Sequence, residues 1–208
     1  MSYHLPSPLY AIVDTSLLRG RPLTNILREL LKGGCKLIQL RAKKLSSGEF
    51  FALAKEARQL TREAGAIFIV NDRADIALAC GADGVHLGQD DLPLYAARKL
   101  LGKEKVIGVS THDLAQASEA EKAGADYIGF GPIFGTATKE TGYSPRGLEM
   151  LRQIRQAVEI PVVAIGGITE INVAEVWKTG ADAAAIISDL MGAEDVGEKV
   201  RRIVALTS

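Results

Sequence analysis

Eight short runs rich in β-branched and small apolar residues recur along the chain, with longer amphipathic stretches between them. The runs are Leu9 to Asp14, Lys36 to Arg41, Ile67 to Asp72, Gly84 to Gly88, Val106 to Ser110, Tyr127 to Pro132, Val162 to Gly167 and Ala183 to Ser188. They lack the polar alternation of a half-exposed strand, which predicts parallel strands covered on both faces. The stretches between them read as helices. In Thr24 to Gly34, Ile26, Leu27, Leu30 and Leu31 form an apolar stripe, with Thr24 as the expected cap and Gly33-Gly34 as the stop. In Ser46 to Gly65, Ser46 or Ser47 caps, Glu49 lies in the first turn, and Phe50, Leu53, Ala54 and Leu60 share a face. Gly-Ala-Asp recurs at Gly81, Gly124 and Gly180, each time just before the fourth, sixth or eighth run. Eight strand–helix units with a repeat at every second unit predict an α/β fold, a (β/α)8 TIM barrel, as one domain over residues 1–208. An open doubly wound sheet is the alternative.

Composition narrows the function. With 25 Lys and Arg against 25 Asp and Glu over 208 residues, the formal net charge is zero. A nucleic-acid or anionic-membrane partner calls for a basic surplus, so neither is expected. No run reaches the roughly 18 apolar residues of a membrane helix, and the first residues lack a basic, then apolar, leader pattern. Cys35 and Cys80 have no metal-type spacing and read as reduced thiols, which points to the cytoplasm. Oligomeric state is not encoded legibly, and a homo-oligomer stays open.

In such a barrel the chemistry sits at the carboxyl ends of the strands. The second run ends Gln39-Leu40-Arg41-Ala42-Lys43, where Gln39, Arg41 and Lys43 alternate and so share a face. An inward Arg41 needs a carboxylate or an anionic ligand. The third run ends Asn71-Asp72 and the fourth leads into Gly88-Gln89-Asp90-Asp91. Loops from neighbouring strands would bring Asp72 and Asp91 together as hard oxygen donors suited to Mg2+. The competing role for Asp90 or Asp91 is to cap a helix beginning near Leu92-Pro93. Ser110 reads either as a ligand contact or as a cap of the helix that follows. His86 reads as a core histidine, and His112 as a residue with no evident partner. No G-x-S-x-G turn supports a nucleophilic serine.

After the sixth run comes the longest irregular stretch, containing Thr136, Ala137, Thr138 and Lys139. It is not a Walker loop, but its hydroxyls, amides and lysine make it a candidate lid or anion clamp. Gly166-Gly167 and Ile187-Ser188 end the last two runs, where barrels commonly bind phosphate through backbone amides. The rim thus offers two anion sites. Arg41, Lys43, Lys139 and a carboxylate-held cation make one, and the amides of Gly167 and Ser188 make the other.

These motifs, in this order, resemble the thiamine-phosphate synthase family along essentially the whole chain. The resemblance rests on Gln39-Leu40-Arg41-x-Lys43, Asn71-Asp72, Gly88-Gln89-Asp90-Asp91, Gly108-Val109-Ser110, Gly131-Pro132-Ile133, Thr136-Ala137-Thr138-Lys139, Gly166-Gly167-Ile168 and Ile187-Ser188. It implies a transferase joining 4-amino-2-methyl-5-(diphosphomethyl)pyrimidine to a thiazole phosphate, with release of diphosphate. By the resemblance, Gln39, Leu40, Arg41, Ala42, Lys43, Asn71, Ser110 and Lys139 hold the pyrimidine diphosphate. Among these, Arg41, Lys43, Ser110 and Lys139 form the catalytic set. Asp72 and Asp91 hold Mg2+, and Thr136, Ala137, Thr138, Gly167, Ile187 and Ser188 bind the thiazole phosphate. Ala42 stands where the family commonly has Glu, and Tyr143-Ser144-Pro145 varies the lid. The related thiazole tautomerases, which carry a histidine where this chain has Pro132, and a non-catalytic regulatory barrel are the alternatives.

Overall fold

The computed structural model describes residues 3–135 and 143–207. Eight parallel strands close into a barrel in sequence order, with β1 hydrogen-bonded to both β2 and β8. They are β1 (Leu9–Asp14), β2 (Leu37–Arg41), β3 (Ile67–Asn71), β4 (Gly84–Leu87), β5 (Val106–Thr111), β6 (Tyr127–Phe130), β7 (Val162–Ile165) and β8 (Ala183–Ile186). The helices are α1 (Leu23–Lys32), α2 (Ser47–Glu63), α3 (Ala74–Cys80), α4 (Leu94–Leu101), α5 (Leu114–Lys122), α6 (Gly147–Ala157), α7 (Val173–Trp177), α8 (Ser188–Met191) and α9 (Val196–Ala205). The closed ladder excludes the open doubly wound sheet. Two helices follow β8 where the sequence predicts one.

The two-residue period of the strands separates two packing layers. Ala11, Ile38, Leu40, Val70, Val85, Ile107, Ile128 and Ala164 face outward, in one apolar cluster with Leu27 and Leu30 of α1, Phe50 of α2 and Leu151 of α6. Tyr10, Ile12, Leu37, Ile69, Tyr127, Val163, Ala183 and Ala185 face inward and form a second, smaller cluster. Polar groups join these inward rows at Gln39 and His86 and at the Tyr10 and Tyr127 hydroxyls.

Local chemistry explains the element boundaries. Ser46 and Glu49 form a reciprocal capping box at the start of α2, with Ser46 N–H donating to Glu49 at 2.9 Å. Helix α1 starts after Pro22, so Thr24 is inside the helix and caps nothing. Several strands stop one or two residues short of the predicted ends. The ladder breaks where the backbone turns left-handed, at Asp72 (φ +63°) and Gly166 (φ +100°).

The Gly-Ala-Asp repeat has a double function. Gly81, Gly124 and Gly180 have positive φ of 70°, 88° and 91° and turn the chain from helix to strand. The aspartate after each then accepts a backbone N–H of the preceding strand: Asp83 from Phe68 at 2.8 Å, Asp126 from Ile107 at 2.7 Å and Asp182 from Val162 at 2.8 Å. Arg58, Arg98 and Arg155 pair with the same three carboxylates. The repeat therefore staples β3 to β4, β5 to β6 and β7 to β8 at the amino end of the barrel.

Candidate active site

The inward-facing side chains at the carboxyl rim surround one cavity of about 60 Å³. Tyr10, Gln39, Arg41, Asn71, His86 and Ser110 supply its polar lining, and Ile12, Val163, Ile165 and Ile187 its apolar wall. The lining thus divides into a polar half from β1 to β5 and an apolar half dominated by β7 and β8.

On the polar half, Arg41 is paired with Asp14, the residue that faces it in the β1–β2 register. Sequence reasoning missed Asp14. Its signal was the same one used elsewhere, a charged residue ending a strand, but on the first run. Burial alone would raise the Asp14 carboxyl. Hydrogen bonds from the Ser16 hydroxyl and amide, with the Arg41 guanidinium, outweigh that and hold it below the ordinary carboxylate range. The guanidinium is thereby fixed at the rim, with donors beyond the one committed to Asp14.

Lys43 pairs with Asp72, whose carboxyl is an electrostatic neighbour of that of Asp91. Burial, then the neighbouring Asp72, raises the Asp91 carboxyl above its usual value, while the Gly88 N–H, donating at 2.6 Å, pulls it down. Neither Asp90 nor Asp91 caps α4, whose N-cap is Pro93 without a side-chain bond. The two carboxyls are near enough to act on one another. Among the described residues, no group of three or more His, Cys, Asp or Glu gathers as a metal cluster.

Ser110 does not cap α5. Asp113 does, accepting the Gln116 N–H at 2.8 Å. The Ser110 hydroxyl instead meets His86 Nε2 at 2.9 Å at the cavity wall. His86 is therefore part of the cavity lining rather than only a core residue. His112, read from sequence as unpartnered, bonds through Nδ1 to the Gly131 carbonyl at 2.6 Å and stacks on Tyr143 at 4.0 Å.

Other predicted residues fall elsewhere. Leu40 and Ala42 point outward into the layer between sheet and helices, leaving only their backbone at the rim. Gly167 (φ +65°) lies against the loop after β6: a Cβ there would come 2.5 Å from the Gly135 carbonyl and 2.7 Å from Phe134 Cβ. Ile187 lines the cavity and Ser188 begins α8. Thr136, Ala137, Thr138 and Lys139 lie outside the described residues.

Fold and cavity together define a (β/α)8-barrel enzyme with a small-molecule site at the carboxyl ends of its strands. A family profile described as thiamine monophosphate synthase matches residues 9–190. Thiamine-phosphate synthases of Syntrophomonas wolfei and Moorella thermoacetica are 51% and 52% identical to the chain, each over 94% of it and 93% of the relative. The solved thiamine phosphate pyrophosphorylase of Pyrococcus furiosus superposes with a TM-score of 0.87 at 43% identity, covering 96% of this chain and 95% of that one. The chain belongs to the thiamine monophosphate synthase family, a family of transferases.

Proposed function

We propose that the chain couples 4-amino-2-methyl-5-(diphosphomethyl)pyrimidine with a thiazole phosphate, giving thiamine phosphate and diphosphate. The observation that carries the reading is that Gln39, Arg41, Asn71 and Ser110 line one cavity, while Lys43 pairs with Asp72 just past the carboxyl ends of the neighbouring strands β2 and β3. The bond between the pyrimidine methylene carbon and the diphosphate oxygen breaks, and its electron pair leaves with the diphosphate. An electron-rich aminopyrimidine stabilises the resulting carbocation, and the thiazole nitrogen lone pair closes the new C–N bond. The step needs no protein nucleophile.

In this reading Arg41 and Lys43 bind the diphosphate and offset the charge growing on it, joined by Lys139. Gln39, Asn71 and Ser110 orient the pyrimidine, with backbone of Leu40 and Ala42 beside them. Thr136, Ala137, Thr138, Gly167, Ile187 and Ser188 hold the thiazole phosphate in line with the reacting carbon.

Asp72 and Asp91 would hold Mg2+. Two neighbouring carboxylates, one of them raised by burial and then by the other, suit a divalent cation that offsets their repulsion. Mg2+ is commonly held by one or two carboxylates, with water and phosphate oxygens completing its shell. When bound, the ion supplies Lewis-acid neutralisation of the leaving diphosphate.

Unpaired Cys35 and Cys80, with no described helix long and apolar enough to cross a membrane, support a cytoplasmic setting. The deciding experiment supplies both substrates and Mg2+ to the purified protein and follows products by mass spectrometry. Thiamine phosphate is expected. Unchanged substrates after long incubation with well-folded protein would contradict the reading.

A further inference from the structure

A line of hydrogen bonds crosses the barrel interior beneath the mouth. Gln39 Nε2 donates to the Tyr10 hydroxyl at 2.8 Å, and the Tyr10 and Tyr127 hydroxyls are 2.9 Å apart. Tyr127 reaches His86 Nδ1 at 3.0 Å, and His86 Nε2 reaches Ser110 Oγ at 2.9 Å. Two inward-facing glycines make room for it. A Cβ on Gly108 would fall onto the Tyr127 ring, and one on Gly129 would come 2.9 Å from His86 Cε1.

The direction of the line follows from accounting for one proton. Tyr10 is 1% exposed, and the partners within reach of its hydroxyl are the Gln39 amide and the Tyr127 hydroxyl, one of which must accept its proton. Gln39 approaches it as a donor, which leaves the Tyr127 oxygen as the acceptor. Tyr127, equally buried, then gives its own proton to His86 Nδ1. The imidazole carries its proton on Nε2, donates it to Ser110 Oγ, and leaves the serine proton free to point into the cavity. In the opposite sense the Tyr10 proton would be stranded inside the barrel, and Ser110 would spend its proton on His86.

We infer that His86 is a positioning residue, held by Tyr127 as the neutral Nε2–H tautomer, and that it turns Ser110 into an obligate hydrogen-bond donor toward the substrate. The site therefore selects a ligand with a lone-pair acceptor at that point. The identity of that acceptor, a ring nitrogen of the pyrimidine, rests on the proposed function. The tautomer does not.

Two measurements test this. With 15N-labelled histidine, the His86 imidazole, assigned by the signal lost in His86→Gln, is expected to show a protonated Nε2 and a bare Nδ1. A protonated Nδ1 would overturn the inference, whether or not the protein makes thiamine phosphate. In the coupling assay, Tyr127→Phe is expected to raise KM for the pyrimidine diphosphate about 5–10-fold, the worth of one neutral hydrogen bond, and KM for the thiazole phosphate less than about 2-fold. In a Ser110→Ala background the same replacement should change either KM less than about 2-fold. Equal, additive effects in both backgrounds would mean that Tyr127 acts by packing alone and would refute the relay.

Discussion

The carboxyl groups of Asp72 and Asp91, brought from the loops after β3 and β4, lie close enough that Asp72 adds to burial in raising the Asp91 carboxyl. Such proximity stores unfavourable charge in the metal-free protein. Replacing Asp91 by Asn removes one charge and keeps an oxygen for the Gly88 N–H. After allowance for solvent screening, the gain is on the order of 0.5 kcal/mol, or a Tm rise of about 1–2 °C without divalent ions. The same variant should lose the thermal shift that Mg2+ gives the parent. Differential scanning fluorimetry with and without Mg2+ checks both.

Asp72 holds a left-handed backbone at φ +63°, a conformation that Asp and Asn tolerate better than other residues with a Cβ. Asp72→Asn should therefore fold with parental stability yet lose coupling activity, whereas Asp72→Ala should also lose about 1 kcal/mol of stability. Urea unfolding of the two variants separates the backbone cost from the lost carboxylate.

Asp14 fixes Arg41, and its carboxyl lies below the ordinary value. A group depressed on folding contributes stability above its unfolded pKa, and that contribution disappears as pH falls through the folded value. Asp14→Asn should thus cost about 1–2 kcal/mol at pH 7. The difference from the parent should shrink on acidification below about pH 4. The variant should also raise KM for the pyrimidine diphosphate more than for the thiazole phosphate, as should Arg41→Ala.

Asp126 accepts the Ile107 N–H and pairs with Arg98, far from the mouth. Asp126→Ala should lower stability by about 1–3 kcal/mol, a Tm loss of several degrees. Its kcat/KM for both substrates should stay within about 2-fold of the parent, read from steady-state kinetics below the transition.

Much of this architecture was legible in the chain. Uninterrupted apolar runs such as Ile67 to Val70 read as strands buried on both faces, and the neighbourhood of Asp72 and Asp91 was expected from adjacent strands carrying adjacent loops. What escaped was whatever depends on barrel closure. Nothing in the sequence ties Tyr10 to Tyr127 because 117 residues separate them, and only the inward curl of β1 and β6 puts their hydroxyls 2.9 Å apart. Gly108 and Gly129 are clearances for rings from other strands, which a sequence read one strand at a time does not reveal. The capping role expected of Thr24 failed because Pro22, with φ already fixed, starts the helix earlier.

The central claim is that the rim balances the charge of a departing diphosphate with Mg2+ held between two carboxylates. Its most direct test is the initial rate of inorganic diphosphate release, titrated with Mg2+, in the parent and in Asp72→Asn. The account predicts a saturable Mg2+ dependence in the parent, and a rate at least about 100-fold lower in the variant at every Mg2+ concentration, equivalent to about 2.7 kcal/mol of lost barrier reduction. Undiminished release by the parent in excess chelator, or by Asp72→Asn at any Mg2+ level, would contradict it.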